Sequence, residues 1–550
     1  MDGRLIISSA RIETREKLVS KSPSTLEPIG EVSLAGSEEC REAVRAAVLA
    51  FPAWKEMPTR DKERIFRRAR SILLERSHDI ARVISLEKGS PPIEAMSVEL
   101  LTSLESLDYY AHNLATALAS RKARPQVPLF TYKKNFFLFQ PLGPTLVISP
   151  WNFPFVIPFY DVLSALASGN TVILRPSTST PFIALKIGEI FMDAGLPPGV
   201  LNVVNCRSAQ AEEMITNPSI QTVMFTGSVP IGKRIMELCS RNLTNVVLEL
   251  GGKDPMIVMN DADLERAARG AVWAAFMNTG QSCASVERVY VAREAAAEFT
   301  DRALDLAKKI KVGDPLVDGT ELGPMVTSGQ RDVVEGHIKE AVEKGASVLC
   351  GGERLRELPG YFLTPAVLTG VDHTMKIMTE ETFGPVLPIM PFDTAEEALA
   401  LANDCAYGLT ASVWTRNKKT AAWMIERLEA GTVTINDHMF SFTEPQAIWG
   451  GIKQTGMGRS HGAFGLHHLQ NIKFVSEDFI RKKGQFWWYP YDDPKPMAIE
   501  KTLVLLHHEK AGRKLKAIWS LLPAWPIMRA GTSVKSYFPI LGRFFRKKMG

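Results

Sequence analysis

The chain has 550 residues, 45% of them apolar and 23% charged, which is typical of soluble globular proteins and predicts two or three domains. Its six cysteines form no CxxC pair and no dense cluster. This argues against a zinc ribbon or a disulfide framework and favours a reducing cytoplasm. The sequence contains neither a run of roughly 18 to 20 apolar residues, as a membrane-spanning helix needs, nor the apolar core of a secretory signal at its N-terminus.

Charge is distributed unevenly along the chain. Residues 501–550 carry eleven Lys and Arg side chains against one acidic residue, Glu509, whereas the formal net charge of the whole chain is only +5. The first 500 residues are therefore acidic on balance, which argues against nucleic acid as a partner. Trp, Phe and Leu are interleaved with the basic residues. Two interpretations stay open for this segment: a core-forming extension packed on the body of the protein, or peripheral contact with an anionic membrane.

The first half of the chain is predicted to form helices followed by a parallel sheet. Apolar residues recur at helical spacing over residues 38–120, with Asp61 as a candidate N-cap. From residue 144, short β-branched runs alternate with longer helical stretches. The predicted strands are PTLVIS, NTVILRP, GVLNVVN and IQTVMF, and the predicted helices begin at Val156, Pro181, Ser208 and Pro230. Repeated β-α-β units indicate the doubly wound α/β class.

A second alternating series begins near VVLELGG, at residues 246–252, and we interpret it as a second α/β domain. Its predicted helices are at 263–277, 295–310, 330–344 and 395–403, and its predicted strands include VERVYVA and ASVLC. After residue 484 the stretch GQFWWYPYDDPKP breaks all periodicity, which indicates a boundary to the basic segment.

The stretch FTGSVPIG follows the predicted strand IQTVMF and opens a helix. Gly227 allows a tight turn, Ser228 suits an N-cap and Pro230 suits the first helical turn. Free N–H groups at such a helix start favour an anion, for example the pyrophosphate of a dinucleotide. An ordinary strand-to-helix turn is the alternative, because the stretch does not match GxGxxG.

Cys283 lies in the polar stretch NTGQSCASVER, between a predicted helix and a predicted strand. Its close neighbours are Gly, Gln, Ser and Ala, so a substrate could approach it. A nucleophilic cysteine needs such access together with a lowered pKa. A small half-buried loop residue is the alternative interpretation.

Two further polar residues accompany apolar strands. Glu249 falls inside VVLELGG, where burial would raise its pKa toward that of a general base working near neutral pH. A structural acid paired with Lys or Arg is the alternative. Asn152 lies between aromatic residues in SPWNFPF, at the carboxyl end of a predicted strand, where ligands bind in open α/β sheets. Its amide could donate to an oxyanion, or the stretch could be a simple turn.

Together and in this order, these stretches resemble the aldehyde dehydrogenase superfamily over residues 25–480. The motifs are PWNFPF (150–155), FTGSVPIG (225–232), LELGGKDP (248–255), NTGQSCAS (278–285), EETFGPV (380–386), YGLTASVWT (407–415) and WGGIKQTGMGR (449–459). The resemblance implies a Rossmann-type cofactor domain, an α/β catalytic domain and an oligomerisation arm. The implied bounds are 1–125 and 141–250 for the cofactor domain, 251–448 for the catalytic domain, 126–140 and 466–480 for the arms, and 484–550 for a basic apolar C-terminal extension.

The resemblance also implies a mechanism without a metal. Cys283 attacks the aldehyde carbon, and Asn152 and the backbone N–H of Cys283 donate to the resulting oxyanion. Hydride passes to the nicotinamide of NAD or NADP, and Glu249 activates the water that hydrolyses the thioester. The presence of both Asn152 and Glu249 favours the hydrolytic branch of the family over the CoA-acylating branch.

The cofactor-binding residues that the resemblance implies are Trp151, Arg175, Ser177, Thr178, Gly227, Ser228, Glu381 and Phe383. Glu381 is expected to hold the nicotinamide ribose, with Phe383 packed nearby. Arg175 stands where the family usually has Lys, and Thr178 stands where a Glu often contacts the adenine ribose. Without that acid a 2′-phosphate meets less repulsion and could gain from Arg175, so the choice between NAD and NADP stays open.

The substrate is expected to be a small-molecule aldehyde. The stretch INDHMFSFTEPQAIWGGIKQTGMGRSHG resembles branches that act on apolar aldehydes, including long-chain and apocarotenoid ones. One alternative is a semialdehyde dehydrogenase for a small polar substrate, which calls for an Arg or Lys anchor in the tunnel. Another is a catalytically silent scaffold, although such a protein has no chemical reason to keep the three reactive residues.

The resemblance further implies a homodimer or homotetramer, because family members assemble through strand and arm contacts. LFTYKKNFFLFQ and QNIKFVSED are the candidate arms. We expect a cytoplasmic protein, with peripheral attachment to a membrane as the alternative if the basic extension lies on a lipid surface.

Overall fold

The computed structural model describes residues 1–127, 130–479, 485, 488–492 and 495–521. The chain divides into two compact units. The first unit comprises Met1–Ala117 and Pro141–Gln470, and the second comprises Leu118–Gln140 and the described residues from Asn471 onward. Residues 522–550 of the predicted extension lie outside the described residues.

The strands, in chain order, are β1 (Leu5–Ile7), β2 (Ala10–Ile12), β3 (Lys17–Lys21), β4 (Pro28–Ser33), β5 (Arg121–Ala123), β6 (Lys133–Pro141), β7 (Thr145–Ile148), β8 (Val172–Arg175), β9 (Leu201–Val203), β10 (Thr222–Thr226), β11 (Asn245–Glu249), β12 (Asp254–Val258), β13 (Val286–Ala292), β14 (Ser347–Cys350), β15 (Ala366–Thr369), β16 (Val386–Phe392), β17 (Thr410–Trp414), β18 (Thr432–Ile435), β19 (Gly456–Met457) and β20 (Gln470–Asp478).

The α-helices are α1 (Ser37–Glu56), α2 (Thr59–Glu75), α3 (Ser77–Lys88), α4 (Pro92–Glu94), α5 (Leu101–Ala117), α6 (Val156–Ala167), α7 (Pro181–Asp193), α8 (Ser208–Ile215), α9 (Val229–Ser240), α10 (Leu264–Phe276), α11 (Arg293–Ala307), α12 (Ser328–Glu343), α13 (Lys376–Thr379), α14 (Ala395–Asn403), α15 (Lys418–Ile425), α16 (Gly462–His468), α17 (Lys495–His507) and α18 (Ala511–Leu521). A π-helical turn over Ala95–Leu100 joins α4 to α5.

The first unit contains an eight-stranded sheet in the order β19-β11-β10-β7-β8-β9-β1-β2. Its five central strands, β11 to β9 in that order, are parallel and are joined by helices. This confirms the doubly wound class. The strand order reverses between β7 and β10, and ligands bind outside the carboxyl ends of the strands at such a switch point. The stretch VVLELGG forms β11 and belongs to this sheet, so the prediction that it opens the second series is wrong.

Helix α6 illustrates how this sheet is covered. Every residue from Val156 to Ala167 is buried, which is what a helix packed between a sheet and neighbouring helices requires. The predicted N-cap at Asp61 is wrong by three residues. Helix α2 begins at Thr59 after Pro58, and Asp61 lies in the first turn, where its charge still favours the helix dipole.

The second sheet of this unit has the order β14-β15-β16-β13-β12-β17-β18, with only the edge strand β14 antiparallel. A parallel sheet covered on both faces confirms the second α/β series. The sequence pattern did not predict several strands of this sheet, among them β12, β15 and β16. Buried parallel strands are continuous apolar runs without alternation, so periodicity does not identify them.

The second unit consists of a small sheet and a helical hairpin. The two candidate arms form strands β6 and β20, and these pair with each other in a three-stranded sheet of order β20-β6-β5. Helices α17 and α18 bury a core of Ala498, Leu505, Ala517 and Leu521. Within the described part of the chain, no helix is both long and apolar enough to cross a membrane.

Candidate active site

Three of the predicted site residues follow neighbouring strands of the first sheet. Asn152 lies four residues after the end of β7, Gly227 directly after β10, and Glu249 ends β11. The N–H of Gly227 donates to the carbonyl of Glu249 over 3.0 Å, which ties the two strand ends together. Because these strands are parallel neighbours, their carboxyl ends meet at one edge of the sheet.

Two cavities of the first unit share Cys283. One, of about 170 Å³, is lined by Glu249 together with aromatic and apolar side chains such as Tyr160, Phe442 and Trp449. The other, of about 230 Å³, is lined by Asn152 and by five of the predicted cofactor residues: Trp151, Gly227, Ser228, Glu381 and Phe383. Cys283 is therefore accessible from two sides, as a nucleophile between a substrate and a cofactor must be.

The loop before Cys283 is fixed by side-chain hydrogen bonds. Asn278 and Thr279 adopt the left-handed region at φ 56°, which is uncommon for residues other than glycine. The backbone N–H of Asn278 donates to the carboxylate of Glu94, and the Thr279 hydroxyl donates to the carbonyl of Gly323 over 3.1 Å. These bonds hold the strained turn that delivers Cys283 to the junction of the two cavities.

Asn278 also connects the loop to the predicted oxyanion residue. Its side-chain amide donates to the carbonyls of Asn152 and Gln281, both over 2.9 Å. The side-chain amide of Asn152 in turn donates to the carbonyl of Gln281 over 3.0 Å. An amide has two N–H donors, so Asn152 keeps one for a ligand.

The pKa of Cys283 differs from the expectation of a lowered value. Burial raises the pKa of the thiol well above its usual range, and the nearby carboxylates of Glu381, Asp254 and Glu249 raise it further. The resting side chain is therefore a thiol, and attack on a carbonyl requires a base to take its proton.

Glu249 has the surroundings predicted for a general base. It is buried, and burial raises its pKa well above the usual range, with a further contribution from Asp161. Neither carboxylate oxygen has a hydrogen-bond partner among the described residues. No described Lys or Arg hydrogen-bonds to this carboxylate, although the charge of Arg459 partly offsets the rise of its pKa.

Glu381 lies on the other side of Cys283, next to a glycine pair. Its Oε1 accepts a hydrogen bond from the N–H of Gly252 over 2.9 Å, and a Cβ on Gly251 would lie 2.7 Å from its Oε2. Burial, aided by the charge of Glu287, raises the pKa of Glu381 to about 8. The close approach of backbone and carboxylate explains why this motif needs glycine.

The neighbouring aromatic residues of this cavity are also held in place. Phe383 adopts φ 53°, and its N–H donates to Glu287 over 2.8 Å. The rings of Trp151 and Phe383 meet edge to face with centroids 5.6 Å apart. Glu287 in turn forms a buried ion pair with Lys253, with 2.6 Å between Oε2 and Nζ. This pair, which the sequence reading missed, fixes the segment that carries Glu381.

The predicted anion site at the start of α9 has the expected geometry. Ser228 is the N-cap residue but makes no side-chain cap hydrogen bond, and Pro230 lies in the first turn. The N–H groups of the first turn have no partner within a helix, so they can donate to a bound anion. A Cβ on Gly227 would lie 2.5 Å from the Phe225 ring, so a larger residue would displace that ring.

The three remaining predicted cofactor residues lie at or just after the end of β8 and do not line either of the two cavities. Arg175 ends this strand, and its guanidinium donates to the carbonyl of Cys206 over 3.0 Å. Ser177 is half-buried and Thr178 is exposed. Since β8 is the neighbour of β7 in the sheet, these residues lie along the same edge.

The sequence of the chain matches the model of the aldehyde dehydrogenase family over residues 11–475. The chain belongs to the aldehyde dehydrogenase family. Among curated relatives, human 4-trimethylaminobutyraldehyde dehydrogenase is 36% identical over 460 residues, which are 82% of this chain and 91% of that protein.

Solved structures of other aldehyde dehydrogenases superpose closely. An NAD+ complex of the aldehyde dehydrogenase from Bacillus cereus has a TM-score of 0.83 and 34% identity, covering 87% of this chain and 97% of that chain. A structure described as an NADP-dependent enzyme of E. coli has a TM-score of 0.83 and 33% identity, covering 86% and 98%. The chain is an NAD(P)-dependent aldehyde dehydrogenase.

The residues around the second cavity of this aldehyde dehydrogenase fit NAD or NADP. The uncapped N–H groups of α9 suit a pyrophosphate, and the Glu381 carboxylate, which lines this cavity, suits ribose hydroxyl groups. Gly227 and Gly251 both line this cavity, and a Cβ at these positions would collide with Phe225 and Glu381, respectively.

Asp161 and His461 line the first cavity, and the sequence reading singled out neither. Both residues are buried. An acid inside the otherwise apolar stretch FVIPFYDVLSAL was a signal for Asp161, because a charged residue on a fully buried helix needs an explanation.

Proposed function

We propose that this aldehyde dehydrogenase oxidises an apolar or long-chain aldehyde to its carboxylic acid through a thioester on Cys283. The observation that carries the proposal is the position of Cys283 at the junction of two cavities, one largely apolar and one lined by predicted cofactor residues. Substrate and cofactor can approach the sulfur from opposite sides there. Such positioning of two reactants is a large part of what an enzyme contributes to a rate.

In the first step, the Cys283 thiol loses its proton to a base, and Sγ bonds to the aldehyde carbon. The carbonyl oxygen becomes an alkoxide, which the free N–H of Asn152 and the backbone N–H of Cys283 stabilise. Bound NAD(P)+ supplies a hydride acceptor for the carbon-bound hydrogen. Loss of that hydride leaves an acyl thioester on Cys283.

In the second step, Glu249 takes a proton from water as the water oxygen attacks the thioester carbon. The carbon–sulfur bond then breaks, the sulfur regains a proton, and the carboxylic acid leaves. The support for this role is that both Glu249 oxygens lack a described partner and that burial raises the pKa of Glu249. A carboxylate with these properties accepts a proton readily near neutral pH.

The substrate class is supported by the walls of the first cavity. Most lining side chains are apolar or aromatic, and the described lining residues include neither Lys nor Arg. A semialdehyde dehydrogenase would need such a cation to anchor a carboxylate. An apolar aldehyde therefore fits this cavity better than an anionic one.

Cys283→Ser tests the mechanism in an assay of NAD and NADP reduction over a chain-length series of aldehydes. We expect loss of turnover with every aldehyde, since a serine hydroxyl in this site is a much weaker nucleophile. Cys405→Ser, at a half-buried cysteine outside both cavities, is the matched control and should retain turnover. Full turnover of the Cys283→Ser protein would contradict the mechanism.

We also propose that the helical hairpin of the second unit contacts an anionic membrane surface. Leu515 and Trp519 are exposed, and they lie four residues apart on α18, so they share one face. Arg513, Lys514 and Lys516 flank them in the same helix. An exposed apolar stripe flanked by cations is typical of helices that lie at a lipid interface.

Sedimentation with phosphatidylserine vesicles tests this contact. Leu515→Ser combined with Trp519→Ser should lower the bound fraction of the full-length chain. Leu243→Ser, which removes a similarly exposed Leu from the first unit, should not. Equal binding of the double variant and the unchanged protein would contradict membrane contact through α18.

A further proposal concerns assembly into a homodimer or homotetramer through the arm strands β6 and β20. Its support is that Phe137 and Phe474 expose apolar surface on these paired strands, with ring centroids 5.6 Å apart. Phe474→Asp should shift the protein toward monomers in analytical ultracentrifugation. An unchanged sedimentation coefficient would rule out an assembly through this face.

A further inference from the structure

A third cavity of the first unit lies beside the first cavity, the one that we propose binds the substrate. Its volume is about 260 Å³, compared with about 170 Å³ for the first cavity. Trp273, in the last turn of α10, and Met277, directly after that helix, line both cavities. The two cavities are therefore neighbours, and these two side chains form their common boundary.

The walls of the third cavity are mainly apolar. Seven of its ten described lining residues have apolar or aromatic side chains. Besides the two shared residues, these are Val272, Phe276, Leu306, Ile310 and Leu322. They come from α10, from α11 and from the segment that follows α11. A ligand that contacts such walls gains by removing apolar surface from water, so the cavity favours an apolar group.

The three charged residues in the described walls already have partners. Nε of Arg269 pairs with Oε1 of Glu265 over 2.7 Å. The carboxylate of Glu94 accepts a hydrogen bond from the N–H of Asn278 over 3.1 Å. The carboxylate of Glu321 accepts one from a backbone N–H over 3.0 Å. These charges do not need an ionic group on the ligand, as an unpaired buried charge would.

The boundary between the two cavities is suited to an alkyl chain that crosses it. Trp273 is half-exposed, and a Trp ring gains a large buried area when a ligand covers it. Met277 is buried, and its unbranched side chain can change rotamer to fit irregular neighbours. Phe440, which also lines the first cavity, adds a further exposed ring there. A chain that leaves the first cavity along Trp273 would cover apolar surface and reach the third cavity.

We infer that the third cavity binds the distal part of the alkyl chain of a long-chain aldehyde whose carbonyl group lies at Cys283. The shared residues Trp273 and Met277 favour this occupant, because a chain held at Cys283 reaches the third cavity directly from the first. A short aldehyde stays within the first cavity and gains nothing from the third. The inference rests on the proposed oxidation at Cys283 and narrows its substrate class to aldehydes with long, uncharged chains.

The first test compares dodecanal with butanal on the full-length enzyme. Leu306 is half-buried in α11 and lines the third cavity but not the first. Leu306→Trp fills part of the third cavity, so the ratio of kcat/KM for dodecanal to kcat/KM for butanal should fall about tenfold, as expected when about two methylene groups lose their burial. Leu316→Trp, the same change at an exposed position outside the cavity, should keep the ratio.

The second test measures binding without turnover. In a Cys283→Ser background, Leu306→Cys places a thiol in the wall of the third cavity, and peptide mass spectrometry follows its modification by iodoacetamide. Dodecanol should slow this modification several-fold because its chain covers the thiol, whereas butanol should not. In the control, Leu316→Cys, the introduced thiol should react at the same rate with and without dodecanol.

The outcomes separate the inference from the proposed function. An unchanged kcat/KM ratio after Leu306→Trp, or no protection of the Leu306→Cys thiol by dodecanol, would overturn the inference and leave oxidation at Cys283 standing. Equally slow modification with and without dodecanol would show that part of this chain or a second copy covers the cavity, and would also overturn it. Protection by dodecanol without oxidation of either aldehyde by the unchanged enzyme would support the chain site and contradict the proposed oxidation.

Discussion

The two cavities that meet at Cys283 give their carboxyl groups different surroundings, and the pKa shifts of these groups differ accordingly. In the cavity that we propose binds the substrate, Glu249 is buried and neither of its oxygens has a described partner, so burial raises its pKa well above the usual range. In the cavity that we propose binds the cofactor, Glu381 accepts a hydrogen bond from Gly252, which limits the rise to a pKa of about 8. A donor to the charged form lowers the pKa, and Glu249 has no such donor among the described residues, so only the charge of Arg459 opposes the effect of burial. An unpaired acid suits proton transfer, whereas a paired acid suits the binding of a ligand.

Replacing Glu249 should have the largest effect on the rate of turnover. Glu249→Gln keeps the shape of the side chain but removes the proton acceptor, so hydrolysis of the thioester should slow by about 10²- to 10⁴-fold. Rapid-mixing kinetics should still detect one equivalent of reduced cofactor per site, because that product forms before hydrolysis. Steady-state turnover close to that of the unchanged enzyme would show that another group activates the water.

A change at Gly252, which follows the cavity-lining Gly251, should have the next largest effect. A Cβ on Gly252 would lie 1.9 Å from the backbone carbonyl oxygen of Cys283, and a backbone atom cannot move away at low cost. Gly252→Ala should therefore lower the free energy of unfolding by about 2 kcal/mol or more and displace the nucleophile. Urea denaturation and turnover measure the two effects. Gly329→Ala, where a Cβ would meet nothing within 4 Å, should leave both unchanged.

Glu381 should affect the pH dependence of both cofactor binding and stability. The ionised Glu381 carboxylate is the better acceptor for ribose hydroxyl groups, so KM for NAD(P)+ should fall as pH rises through about 8. Glu381→Gln should remove that change. The folded pKa also lies above the ordinary value of 4.5, so ionisation lowers the stability of the unliganded protein as pH rises between these two values. The Glu381→Gln protein should therefore lose less stability than the unchanged protein over this range.

The smallest effect is expected at Thr178, which we propose lies beside the adenine ribose of the cofactor. Thr178 is exposed, and a carboxylate in its place would repel a 2′-phosphate. Thr178→Glu should lower kcat/KM for NADP relative to NAD by about fivefold. Thr178→Gln, which adds the same bulk without charge, separates repulsion from crowding. If both variants keep the ratio of kcat/KM for NADP to kcat/KM for NAD that the unchanged enzyme has, the 2′-position lies away from residue 178.

The sequence predicted the architecture well where its periodicity is strong. The β-α-β series from residue 144 predicted β7 to β10 and their crossover helices, because alternating short strands and amphipathic helices leave a clear pattern. Buried parallel strands such as β16 left no such alternation and were missed. The extra strand β11 was assigned to the wrong sheet, since strand order depends on contacts between distant segments.

The candidate site was predictable only in part. The motifs located Cys283, Glu249 and Asn152, whose residue types are visible in the sequence. A nucleophilic cysteine calls for a lowered pKa, whereas burial and, in addition, three carboxylates from separate segments raise the pKa of Cys283. The supporting side chains Asn278 and Glu287 were missed, since their importance lies in hydrogen bonds to residues far away in the chain.

The sequence by itself determined the family, the order of the reactive residues and the basic character of the C-terminal segment, because these depend on residue types and on local spacing. The tertiary structure decided which side of Cys283 each acid faces, and it placed a third, mainly apolar cavity beside the first. Burial and hydrogen bonding set the charge of a carboxyl group, and both arise only when distant segments pack together.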